Sequence, residues 1–186
     1  MINLYLVRHL KTEWNKYWLC QWWKWWKILN DSYLSYEEVI EFLKKEEIDY
    51  IFSSDLSRAK ITSVYIKNQL WFKKNINYSY FFREINFWIF EGQDCNLIKK
   101  VQPYIYDSNW FFKYNVKLKN GESVNDLRER VFKWLDLLKE KKGNILLVSH
   151  GNVIRMVYSL VYNIDYNEIY KELNIDHNVF HKIILS

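Results

Sequence analysis

Two of the four histidines stand directly behind short apolar runs. INLYLV (2–7) leads into Arg8-His9, and NILLV (144–148) leads into Ser149-His150. Imidazole is a nucleophile, a base and a hydrogen-bond donor near neutral pH, and an arginine fork suits a dianionic oxygen group. Arg8 adjoins His9, and Arg58 stands one turn into a predicted helix, after SSD (53–55). A phosphomonoester brings two negative charges that a nucleophile cannot approach until they are neutralised. Arg8, Arg58 and His150 suit that neutralisation, and His9 suits attack at phosphorus. The competing reading makes both histidines structural and pairs the arginines with carboxylates such as Asp55. Ser149 lacks the Gly-x-Ser-x-Gly elbow of a serine nucleophile. His177 and His181 lie away from these segments and read as structural or exposed.

The elements that position these residues follow from periodicity. Strands are predicted over 2–7, 50–52, 76–82, 144–148 and 179–185. Helices are predicted over 36–47, with Ser35 and Glu38 as a capping box, and over 55–70, 96–101, 122–140, 151 to about 161, and 166–173. Val124, Leu127, Val131, Trp134, Leu135 and Leu138 mark one face of the long late helix. Such alternation, with continuously apolar strands, predicts a three-layer α/β/α sandwich around a mainly parallel, mixed sheet. Ligands of such sheets bind beyond the carboxyl ends of the strands, where both histidine segments fall.

The 186 residues suit one domain, with residues 85–120 as a cap-like insertion. The net charge of +5 is spread among acidic residues without a basic block, which speaks against nucleic acid. No apolar stretch reaches the length of a membrane span, and the N-terminus reads directly as a strand, so a cytoplasmic location is expected. Cys20 and Cys95 lack the paired spacing of a disulfide framework or zinc site and are expected as free thiols. No carboxylate cluster suggests a metal, and no cofactor is expected. Five tryptophans lie within residues 17–26. They are expected to pack on the domain surface, or to mediate self-association as a homodimer if exposed.

Five segments, in order over nearly the whole chain, resemble the histidine phosphatase (phosphoglycerate-mutase-like) superfamily: LYLVRHLKTEWN (4–15), SSDLSRA (53–59), REINFWIFEG (83–92), GESVNDLRERV (121–131) and LLVSHGNVIR (146–155). The resemblance implies a phosphoglycerate-mutase-like fold and a phosphohistidine formed on His9, with His150, Arg8 and Arg58 as catalytic partners. It implies Glu84 as general acid and base, although Glu91 lies in the same segment. Asn15, Thr12 and Gly151 would complete the binding site for a small phosphorylated substrate, Thr12 being equally suited to bonding its own backbone. The segment after Arg83 is too short for the insertions of mutases. The small phosphatases of α-ribazole-phosphate or broad-specificity type are therefore the closer pattern.

Leu10 and Trp88 stand where the resemblance places glycines. If they crowd the pocket, the alternative is a catalytically impaired phosphate-binding or interaction module of the same fold. A phosphoglycerate-mutase-type phosphotransferase ranks third.

Overall fold

Along β1 (Ile2–Arg8) the side chains divide by parity. Leu4 and Leu6 enter one apolar cluster, Tyr5 and Val7 another, as a strand covered on both faces requires. The molecule is seen in a computed structural model that describes residues 1–17, 19–21, 23–24, 27–86, 90–101, 103–108, 113–117 and 119–185. Short helices α1 (Glu13–Lys16) and α2 (Asp31–Leu34) lead to α3 (Glu37–Lys44), β2 (Ile48–Ser54), α4 (Ser57–Gln69) and β3 (Ile76–Ser79). After α5 (Cys95–Val101) come α6 (Val124–Leu138), β4 (Gly143–Ser149), α7 (Gly151–Tyr162), α8 (Tyr166–Glu172) and β5 (Phe180–Leu185).

The sheet order is β3-β2-β4-β1-β5. β3, β2, β4 and β1 run parallel, and β5 closes antiparallel against β1. In β4, Ile145 and Leu147 face α6 and α7 through Leu127, Val131, Val153 and Val157. Leu146 and Val148 face α3 and α4 through Val39, Leu43, Ala59 and Ile66. The three layers, with a mixed and mainly parallel sheet, are those expected from the alternation.

Three local expectations change. The capping box at Ser35 is absent: α3 begins after Tyr36, whose side chain makes no cap. The Ser35 hydroxyl instead donates to Ser32 O at 2.8 Å, finishing the turn of α2. A capping box does form at Ser123, where Asp126 N donates to Ser123 Oγ at 3.1 Å and Ser123 N to the Asp126 carboxylate at 2.7 Å, so the long helix starts at Val124. β3 stops at Ser79 because that hydroxyl accepts from Phe81 N at 3.2 Å and turns Tyr80–Phe82 into a 3-10 helix.

The cysteine expectation also fails. Cys20 is disulfide-bonded, and no free cysteine occurs among the described residues. Spacing alone could not reveal how residues 19–20 lie along residues 92–94. There Cys20 N donates to Gln93 O at 2.8 Å and Gly92 N to Cys20 O at 2.9 Å. Among the described residues no helix is long and apolar enough to cross a membrane. Trp18, Trp22, Trp25, Trp26 and Trp88, on which the surface-patch and crowding expectations rest, lie outside the described residues.

Candidate active site

β1 and β4 are neighbours, with Arg8 opposite Ser149 in register. The next residue on each strand is a histidine, and the two rings stand 5.1 Å apart between centroids. His9 N donates to Ser149 O at 2.9 Å, carrying the ladder one step beyond the strand end. β2 leaves the sheet beside β4 and delivers Ser54, whose hydroxyl lies 2.9 Å from His150 Nε2. Arg58, in the first turn of α4, is 1% exposed.

The state of His9 follows from its partners. Nδ1 lies 2.7 Å from the carbonyl of Leu10. A carbonyl only accepts, so Nδ1 carries the proton and Nε2 keeps a lone pair. That lone pair accepts from Arg58 Nε at 3.2 Å. Burial, then Arg58, His150, His177 and Arg8, hold the His9 pKa well below its ordinary value. The imidazole is thus neutral at physiological pH and directed through Nε2. His150 is likewise pushed well down, by burial and then by Arg58 and Arg8.

Burial lowers the pKa values of Arg8 and Arg58 to about 10, against the opposing pull of Glu84, and both stay cationic near neutrality. Neither takes the surface pairing with Asp55. That carboxylate receives Arg83 in a bidentate pair at 2.7 and 2.7 Å. Arg8 Nη1 donates to Ile175 O at 2.9 Å. Buried Arg8 Nε, His150 Nδ1, His177 Nε2 and Gln21 Nε2 have no hydrogen-bond partner among the described residues. The unmet N–H groups of Arg8 and Gln21, with two ring nitrogens that donate in one tautomer, favour an anion with several acceptor oxygens beside the two cations. Arg8, His9, Gln21, Glu84, Gly151 and His177 all line one cavity of about 750 Å³.

The two glutamates separate cleanly. Glu84, 8% exposed, lines the cavity, with Oε1 accepting from Ile85 N at 2.9 Å and Oε2 from Asn152 N at 3.4 Å. Glu91 accepts from Trp23 N at 2.9 Å and braces the loop outside it. Asn15 lines the cavity, while its Oδ1 accepts from Thr12 N at 3.0 Å. Thr12 is buried beneath, its hydroxyl 2.7 Å from Gln21 Oε1, and does not border the cavity. Its place is that of the N-cap of α1.

Leu10 does not crowd the site. Its side chain is fully buried in the cluster with Tyr36, Val39 and Ala59, away from the cavity lining. Its amide donates to Thr62 Oγ1 at 2.9 Å. It is not among the residues with positive φ, so no glycine-only geometry arises there.

His177, expected from sequence to be structural or exposed, is buried beside His9. It is 5% exposed and meets His9 edge-on at 5.1 Å between centroids. Burial, then Arg8, Lys11 and Arg58, push its pKa far down. The signal available was the closing strand: β5 runs antiparallel to β1 with Phe180 opposite Val7, so residues just before Phe180 must reach the histidine end of β1. Gln21 and Arg155, also on the cavity wall, had no comparable signal. Among the described residues no group of His, Cys, Asp or Glu is arranged to hold a metal ion.

A mixed α/β/α sandwich with two imidazoles and two buried guanidiniums at its strand ends has the architecture of a histidine phosphatase. The chain belongs to branch 1 of the histidine phosphatase superfamily, whose sequence profile matches residues 4–182. Among curated protein sequences, none matches the chain. Similar folds include Bacillus stearothermophilus YhfR, 20% identical, covering 100% of this chain and 92% of that one with a TM-score of 0.86. The α-ribazole phosphatase of Shigella flexneri is 19% identical over 99% of this chain and 91% of its own, with a TM-score of 0.83. A phosphoserine phosphatase from Entamoeba histolytica, seen with 3-phosphoglyceric acid, is 23% identical over 99% and 91%, with a TM-score of 0.75.

Proposed function

We propose that the protein hydrolyses small phosphomonoesters through a phosphohistidine on His9, without a metal or cofactor, as a cytoplasmic enzyme. Family membership supports phosphatase chemistry at a histidine. The observation that carries the residue-level reading is the fixed tautomer of His9: Nδ1–H is tied to Leu10 O, and Nε2 faces Arg58, with the His150 ring 5.1 Å from that of His9.

In the first step His9 Nε2 bonds to phosphorus as the bond from phosphorus to the ester oxygen breaks. Glu84 gives its proton to the departing alkoxide. Arg8, Arg58 and His150 face the nonbridging oxygens, whose charge they offset throughout. In the second step water attacks the phosphohistidine, Glu84 takes the water proton, and phosphate leaves with Nε2 restored. Asn15 and Gly151 border the same space. The position of Leu10 in the core favours this reading over a closed, non-catalytic module.

The test is hydrolysis of p-nitrophenyl phosphate in the presence of EDTA, with His9→Ala alongside. Turnover that survives chelation and vanishes in the variant is expected. A folded wild type with no turnover would overturn the reading.

A further inference from the structure

Leu19, Cys20 and Gln21 form part of the wall of the catalytic cavity. From there the segment reaches Arg58, the cap of α1 and Glu84. Arg58 Nη2 donates to Gln21 O at 3.4 Å, and Gln21 Oε1 accepts from the Thr12 hydroxyl at 2.7 Å. Trp23 Nε1 donates to Glu84 O at 3.3 Å, and the Arg83 guanidinium lies 4.7 Å from the centroid of the Trp23 ring. These contacts help set where Arg58 and Glu84 stand, so whatever fastens the segment also acts on the site.

Residues 19–21 lie outside the helices and the sheet. Their backbone is fastened by the bridge of Leu19 to Asp94 and by the two bonds of Cys20, to Gln93 O at 2.8 Å and from Gly92 N at 2.9 Å. The covalent tie is the disulfide of Cys20. The sequence holds one other cysteine, Cys95, which opens α5 beside the bridged Asp94. In a reducing compartment a disulfide of an enzyme is usually transient or redox-sensing and not structural. The cytoplasmic reading above puts this one in such a compartment. Cys20 is buried, yet it borders a cavity that opens to small molecules.

We propose that the disulfide between Cys20 and Cys95 is a redox clasp of the catalytic site, which a dithiol reductant opens with loss of turnover and a disulfide oxidant closes again. A thiolate of the dithiol attacks one sulfur of the bond and forms a mixed disulfide, from which its second thiol displaces the cysteine. The protein bond takes up two electrons and two protons and becomes two thiols, while the dithiol becomes a disulfide. Once the tie is cut, Gln21 and Trp23 are held by hydrogen bonds and packing alone, and Arg58 and Glu84 lose a fixed neighbour. The inference rests on the phosphatase reading of the same cavity.

The test measures kcat/KM for ethyl phosphate on the full chain before and after excess dithiothreitol, with thiols counted by alkylation and mass spectrometry. Reduction should expose two thiols and lower kcat/KM by roughly 10- to 100-fold, as a small misplacement of catalytic groups does. Oxidised glutathione should restore the rate. Cys95→Ser should match the reduced level and ignore dithiothreitol. Two free thiols with an unchanged rate overturn the clasp in the wild type alone, and so does a response that persists in Cys95→Ser. A bond that resists dithiothreitol, or a far-UV circular dichroism spectrum lost on reduction, would make the disulfide a structural staple and overturn the clasp as well. Absence of turnover on p-nitrophenyl phosphate by the oxidised protein would instead defeat the phosphatase reading, and this inference with it.

Discussion

Arg58 donates from Nε to Nε2 of His9 at 3.2 Å, so the guanidinium and the imidazole hold one another. In the proposed mechanism an incoming phosphoryl group would offer Arg58 better acceptors and free the His9 lone pair. Replacing His9 with Ala should therefore remove both turnover and acid-labile phosphoprotein, read with labelled substrate and rapid quenching. Arg58→Lys keeps the charge and loses the fork, and should lower kcat/KM by roughly 100-fold. A near-normal rate in that variant would assign Arg58 to packing.

Glu84 should matter in proportion to how much help the leaving group needs. Glu84→Gln is expected to reduce kcat on an alkyl phosphate by roughly 100- to 10,000-fold. The loss should be much smaller on p-nitrophenyl phosphate, whose phenolate leaves readily. Equal losses on both substrates would remove the proton-transfer role.

Acid should unfold this protein early. His9, His150 and His177 all have folded pKa values well below the ordinary one of 6.5. Below pH 6.5 the unfolded chain takes up protons that the native state refuses, so the stability these groups contribute is full above that pH and is lost as pH falls. For three such histidines the slope approaches about 4 kcal/mol per pH unit. Urea unfolding at pH 7.5, 6.5 and 5.5 reads this directly, and a flat profile would show the rings to be hydrated.

Arg130 clamps the segment that carries Glu84. Its Nη1 donates to Phe81 O at 2.7 Å, while Nε and Nη2 bind the Glu122 carboxylate at 2.9 and 3.0 Å. Glu122 Oε2 also accepts from Asn86 N at 3.0 Å. Arg130→Ala strands a partly buried carboxylate, and a loss of about 3 kcal/mol is expected by denaturant titration. Activity should fall as well, because Glu84 lies between the two anchored ends. Unchanged stability would mean that water replaces the guanidinium.

His177→Phe retains a ring against His9 and deletes the nitrogen. If that nitrogen serves the bound anion, orthovanadate inhibition should weaken by on the order of 10-fold or more, with a smaller loss in His177→Gln. Inhibition equal to wild type would leave His177 a packing residue.

Most of the frame was legible in the sequence because it rests on continuous apolar runs. INLYLV and NILLV are buried on both faces, and their polar exits could be read as site residues at once. What escaped depended on contacts between distant segments. Ser35 had the composition of a cap but was taken by the turn of α2, and Cys20 meets its neighbours only through pairing with residues 92–94. His177 lies in no motif and reaches His9 only because the last strand turns back along the first. Leu10 is a case of the same kind: sequence places it beside His9, whereas the chain sends its side chain into the layer beneath.

The position of β1 has a consequence for how the molecule comes into being. Its hydrogen-bonded neighbours are β4 and β5, with Ile2 opposite Gly143 on one side and Leu185 on the other. During synthesis β1 is thus a bare apolar strand until the residues from Gly143 onward have followed it. Pairing over such sequence separation is slow, and the unpaired edge invites association in the interval. His9 and His150 come together only through that late pairing, so enzymatic competence should be among the last properties to appear during refolding.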